Sequence, residues 1–190
     1  MPLYLKVFKK LLIVGFIIGN CFIWYPTVQR FTKAYEVQAK QYKVRQAHKV
    51  FNHMKKFMGD EHARHTKLVI TGGNMLNAYV NYDTKVDKNV VHISVNLLNY
   101  QDRYKAVLAH ELAHIALNHL QRPQMADMYV ALDEINADKY STYLLTKSGY
   151  NTCASYDLWK WYASTSERLL QGTHPLPIQR AAYMKFPICK

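Results

Sequence analysis

The chain has 190 residues, 49% hydrophobic and 20% charged, with no internal repeat, which suits one modest domain with a real core and excludes a disordered or repeat protein. Its net charge of +12 and pI of about 9.5 favour anionic surfaces, but the lysines and arginines are spread along the chain without a nucleic-acid motif. A solvated basic surface and no nucleic-acid partner are expected. Three cysteines exclude a disulfide scaffold, and the absence of CxxC excludes a zinc finger; Cys153 and Cys189 are the pair available for one disulfide in an oxidising compartment.

The chain opens with MPLYLKVFKKLLIVGFIIGNCFIWYP. Lys6, Lys9 and Lys10 precede an uncharged stretch from Leu11 to Tyr25, the pattern of a secretory signal. At 1.5 Å per residue that stretch reaches roughly 22 Å, short of a hydrocarbon core of about 30 Å. Counting from Leu3, with the lysines snorkelling outward, closes the gap. Phe22, Ile23 and Trp24 continue the apolar run past the small residues Gly19 and Cys21, so a retained anchor over residues 1–26 is preferred to a cleaved signal or a lipid-modified Cys21. Trp24 and Tyr25 suit the membrane interface. Arg30, Lys33, Lys40, Lys43 and Arg45 follow on the far side and weaken any charge argument for orientation. The export-like start favours a domain on the extracytoplasmic, periplasmic side.

Residues 27–58 contain no glycine or proline. Charges alternate there with Val28, Phe31, Val37, Val44, Phe51 and Met54, which predicts one or two amphipathic helices packed on the domain. Residues 59–190 form the domain itself. GDEHARHT, from Gly59 to Thr66, reads as a polar loop in which His62 and His65 make a weak metal pair. KLVITGG reads as a strand ended by a glycine pair. NVVHISVNLL reads as a half-buried strand, with Val91, Ile93 and Val95 on one face and His92, Ser94 and Asn96 on the other. Helices are predicted from about Asp102 to Gln121, stopped by Pro123, and from about Gln124 to Lys147, capped at Gly149. Others cover roughly Ser155 to Leu170, and Pro177 to Met184 after a QGTHPLP loop. Strands first and helices after predict an α+β fold, mainly helical with a small sheet.

The stretch VLAHELAHIALNH carries the chemistry. Residues four apart share a helix face, so His110 and His114 can reach one zinc ion. Glu111 is turned about 100° away, placed to hold a water rather than the metal. Zinc lowers the pKa of water to about 7 and such a glutamate takes its proton during attack, the arrangement of metal-assisted hydrolysis. A catalytic zinc normally takes a third protein ligand. One class of zinc peptidase finds it six residues after the second histidine, where this chain has Leu120. His119 is one residue short, rotated off the ligand face, and reads as a helix-end residue. The other class takes a glutamate from a following helix, and DEINADKYSTYLL supplies Glu134. Asp138, four residues on, can accept from the free ring nitrogen of a ligand histidine. Asp133 points elsewhere and reads as solvated.

Four stretches in order, NMLNAYV, AVLAHELAHIALNH, DEINAD and GTHPLPIQR, resemble the gluzincin metallopeptidases of the HtpX and CAAX-prenyl-protease type. The resemblance spans roughly Leu68 to Arg180. It implies a zincin-like domain holding one zinc per chain through His110, His114 and Glu134, with Glu111 as general base and acid. It also implies His174 or Arg180 as stabiliser of the tetrahedral oxyanion, and Asn77 as a contact to substrate added beside an edge strand. His174 is alternatively a fourth zinc ligand that keeps the enzyme latent. Members with several membrane helices differ from this chain, which is expected to have at most one, so the resemblance does not by itself imply a prenyl-peptide substrate or an intramembrane chamber. The leading expectation is a membrane-associated zinc endopeptidase acting on exposed or unfolded polypeptide, with a role in envelope protein quality control. An exported basic lytic enzyme or toxin is the second reading, and a zinc-stabilised anchored chaperone or adaptor the third. Nothing in the sequence speaks to oligomeric state.

Overall fold

The computed structural model describes residues 29–30, 32–73, 76–121, 127–165 and 176–184. Two compact units divide the chain, Met1–Tyr42 and Lys43–Lys190. The expected anchor over residues 1–26 lies outside the described residues. Among the described residues, no helix is long and apolar enough to cross a membrane. In the first unit, residues 29–30 and 32–42 are helical.

The second unit is mainly helical with one small sheet. Helix α1 (residues 43–55) buries Ala47, Val50, Phe51 and Met54, a spacing that lays one stripe along a helix face. Where a loop was expected after Gly59, the chain makes a one-turn helix, α2 (Asp60–Arg64), with no buried residue. Asp60 and Glu61 in its first turn and Arg64 in its last match the helix dipole, which is sufficient for a short exposed turn.

Strands β1 (Thr66–Thr71), β2 (Ala78–Asp83) and β3 (Lys88–Ser94) form a sheet in the order β1-β3-β2. β1 runs parallel to β3, and β2 antiparallel to it. β2 therefore lies at an edge. Its register puts Ala78 opposite Ile93 and Val80 opposite Val91. The predicted alternation in β3 is only half present. Val91 and Ile93 are buried as expected, but Val90 and Ser94 are buried too, as suits a central strand covered on both faces.

Helix α3 (Gln101–Ala116) packs against β2, β3 and α4 (Asp127–Lys147). It is buried on most sides: Tyr104, Ala106, Val107, Leu108, Ala109, Leu112, Ala113 and Ile115 all lie inside. Four alanines favour the helix intrinsically and let its neighbours approach closely. Burying Leu108 and Leu112 completely contributes about 1.5–3 kcal/mol each. The helix stops five residues earlier than predicted. Asn118 adopts φ 56°, a left-handed conformation that asparagine tolerates, and a 3-10 turn (His119–Gln121) follows.

Helix α4 ends at Gly149 as predicted. The glycine has φ 69°, its N–H donates to Thr146 O at 3.1 Å, and Tyr150 N–H donates to Leu145 O at 2.9 Å, a Schellman closure. Among the described residues, chain neighbours apart, nothing lies within 4 Å of where a Cβ of residue 149 would stand, so the conformation and not crowding selects glycine. Helix α5 (Ala154–Thr165) starts after Cys153, which is disulfide-bonded to a partner outside the described residues. Helix α6 (Pro177–Met184) begins and ends where the sequence places it and packs on α5 and α4.

Candidate metal centre

His110 and His114 come from successive turns of α3, and Glu134 comes from α4, which packs alongside. His110 is 7% exposed and Glu134 6%. Their donor atoms converge: His110 Nε2 lies 3.0 Å from His114 Nε2 and 3.2 Å from Glu134 Oε2, and His114 Nε2 lies 3.5 Å from Glu134 Oε1. Tetrahedral zinc, with bonds of about 2.0–2.2 Å, separates neighbouring donors by about 3.3 Å. The three observed distances bracket that value, and two imidazoles with one carboxylate are the donor set zinc accepts. Among the described residues, these three form the one group of histidine, cysteine and acidic side chains able to hold a metal ion.

The far side of His110 is equally structured. Its Nδ1 lies 3.0 Å from Asp138 Oδ1. Asp138, 2% exposed, also accepts from Trp159 Nε1 at 3.0 Å and from Arg180 through Nε and Nη2, each at 2.8 Å. Arg180 Nη2 reaches Glu134 Oε2 at 2.8 Å, and the guanidinium stacks on the Trp159 ring at 3.4 Å. One cation from α6 thus bridges both carboxylates of α4. Arg180 is 4% exposed.

Titration follows from these contacts. Burial is the largest influence on His110 and pulls its pKa down, but hydrogen bonds to Asp138 and Glu134 outweigh it and raise the value to about 9. Burial and the neighbouring His110 charge lower His114 to about 3. Burial pushes Asp138 up, yet its hydrogen bonds to Arg180 and His110 leave it below the usual carboxylate value. At pH 7 in the metal-free site His110 is therefore the doubly protonated, cationic ring and His114 the neutral one. A metal ion must displace the His110 proton, so zinc binding is expected to release one proton at pH 7. Apparent affinity should then rise about tenfold per pH unit up to about pH 9. Calorimetric titration in buffers of differing ionisation enthalpy reads this number, and zero release would refute the assignment.

Other predicted residues are placed as follows. Glu111 is half-buried on α3, and its charge contributes, after burial, to raising the pKa of Tyr162 on α5. Asn77 is exposed and immediately precedes β2; its carbonyl accepts from Ser94 N–H at 2.9 Å. His174 lies outside the described residues. His62 and His65 sit at and just after α2 without joining the metal group. His92 stays on the sheet, bonded to Asn81 Oδ1 at 3.0 Å and stacked on Tyr79.

Two sequence readings are corrected. His119 stays outside the group of converging donors, as expected, but it is not merely a helix-end residue: its Nδ1 lies 2.9 Å from His114 Nδ1, the nitrogen opposite the ligand atom. A continuous helix would rotate it off, but the left-handed Asn118 folds it back. Asp133 is not simply solvated: its Oδ1 lies 3.4 Å from His119 Nε2, and its side chain is 17% exposed. Trp159 and Tyr162 were also missed. Their signal was the aromatic run LWKWY, which puts both on one face of α5.

The sequence model of Peptidase family M48 matches residues 38–133. A comparison with curated proteins finds no match.

Proposed function

This chain belongs to peptidase family M48, a family of zinc-dependent metallopeptidases acting on polypeptides, and on that footing we propose that it is an endopeptidase whose zinc is held by His110, His114 and Glu134. The observation that carries this reading is the convergence of those three donors from two packed helices at tetrahedral spacing. When bound, zinc supplies Lewis acidity, lowering the pKa of water and polarising the scissile carbonyl.

The chain's own residues do the rest. Glu111 accepts the proton of the attacking water and returns it to the departing amine. Asp138 accepts from His110 Nδ1, leaving the Nε2 lone pair free to bind metal. Arg180 and Trp159 hold Asp138 in place. Because Arg180 turns Nε and Nη2 to Asp138 and Glu134, stabilisation of the negative substrate oxygen is assigned to His174 in this proposal. Substrate lies along the outer side of β2, the edge strand among the described residues, as an added strand, with the Asn77 amide contacting its backbone. Such an edge selects extended chain, so exposed or unfolded polypeptide is the proposed substrate. The disulfide at Cys153 and the signal-like lysines support an extracytoplasmic domain behind an anchor at residues 1–26, and a role in envelope protein quality control.

The full chain is expected to cleave unfolded casein, to lose that activity to a chelator, and to regain it with zinc. Glu134→Ala should weaken zinc binding by more than the about 10–100-fold typical of outer partners. Unchanged zinc affinity in Glu134→Ala, measured by chelator competition, would remove this residue from the ligand set.

A further inference from the structure

Resting on the reading that His114 binds zinc through Nε2, we propose that His119 and Asp133 form a hydrogen-bonded chain that sets the tautomer and orientation of His114. Both are then positioning residues for the metal.

The geometry dictates the proton positions. His114 Nε2 faces His110 Nε2 at 3.0 Å and Glu134 Oε1 at 3.5 Å, so it is the nitrogen that needs a lone pair. The proton of the neutral ring must then sit on Nδ1. That atom lies 2.9 Å from His119 Nδ1, and two protonated nitrogens cannot meet at this distance. His119 therefore presents a bare Nδ1 and carries its own proton on Nε2. Asp133 Oδ1, 3.4 Å from that Nε2, is the carboxylate oxygen placed to accept it. The order is His114 Nδ1–H to His119 Nδ1, then His119 Nε2–H to Asp133. Each link has one donor and one acceptor.

Burial makes the chain effective. The His119 side chain is 5% exposed, so water competes little for its nitrogens. The His114 and His119 rings meet edge to face, with centroids 5.0 Å apart and planes at 72°, which limits rotation of either. The sequence supplies the device through one residue, because the left-handed Asn118 brings the next side chain back beside α3. Asp133 is also the neighbour of Glu134 on α4, so the chain ties the 3-10 turn to the backbone that presents the third ligand. His110 has a carboxylate at its Nδ1; His114 has a neutral ring backed by a carboxylate.

The test uses the full chain and zinc affinity measured by competition with a chromophoric chelator. His119→Leu is expected to lower affinity about 10–100-fold. His119→Asn, whose side-chain oxygen can stand where Nδ1 stood, should recover most of the loss. Wild-type affinity in His119→Leu overturns the inference while leaving the ligand assignment intact. A wild-type protein that binds no zinc overturns both. If His119→Leu does not fold, ring-nitrogen NMR of the zinc-loaded wild type decides. His114 protonated at Nδ1 and His119 at Nε2 supports the chain; His119 protonated at Nδ1 refutes it.

Discussion

Glu111→Gln is expected to cut peptide hydrolysis by about 10²–10⁴-fold, the usual worth of a positioned general base, while zinc affinity stays at the wild-type level. The amide keeps the size of the carboxylate but cannot take a proton. Glu111 is on α3 beside His110 and outside the group of converging donors, so its replacement leaves that group whole. Casein cleavage by the two full chains at matched zinc content makes the comparison. Equal activity would show that Glu111 does not move the proton. Activity in neither, with zinc bound in both, would favour a zinc-stabilised chaperone or adaptor over an enzyme.

The largest stability effect is expected at Asp138. This carboxylate meets His110, Trp159 and Arg180 at 2.8–3.0 Å, and it is 2% exposed. Asp138→Ala leaves the buried guanidinium with only part of its compensation, which costs about 3–5 kcal/mol. At about 2–4 °C per kcal/mol, Tm should fall by about 6–20 °C. Zinc affinity should fall as well, since His110 loses the acceptor that fixes its tautomer. Asp138→Asn keeps the size and one acceptor oxygen and should lose less. The sign with pH follows from the depressed folded pKa of Asp138. Its contribution is present above the unfolded value of 3.8 and is lost only as pH falls through the lower folded value. The penalty in the alanine variant should therefore be undiminished from pH 5 to 7. Thermal melts of metal-free protein read it, and a Tm within 2 °C of wild type, by a rough reading of that same scale, would show that the cluster is not stabilising.

Local chemistry made much of the fold legible. Pro177 fixes the start of α6, Gly149 supplies the left-handed residue that ends α4, and the alternating run over Lys88–Ser94 announces β3. HELAH gives two ligands because helix periodicity alone puts His110 and His114 on one face. Long-range pairing was less visible. β2 has an outward Tyr79, Asn81 and Asp83, and its strand character depends on β3 lying beside it. Only the family resemblance suggested an edge strand there. His119 stays out of the ligand group, as periodicity has it, but its contact with His114 Nδ1 depends on one left-handed torsion at Asn118, which a continuing helix does not foresee. Trp159 belongs to the site because α5 packs against α3 and α4, a tertiary contact that local spacing does not encode. Asp133 and Glu134 are adjacent in sequence and serve different histidines, a division no spacing rule could supply.

The bridging cation at Arg180 comes from the last described helix, 42 residues beyond Asp138 and 70 beyond His110. A nascent chain therefore exposes both histidines and both acids on the ribosome well before their counter-ion is made. Until Pro177–Met184 emerges, Glu134 and Asp138 repel each other and resist entry into a dry interior. Closing of the metal centre is in this way tied to the synthesis of α6, and a chain that stops short of it carries the candidate ligands without the clasp that closes them.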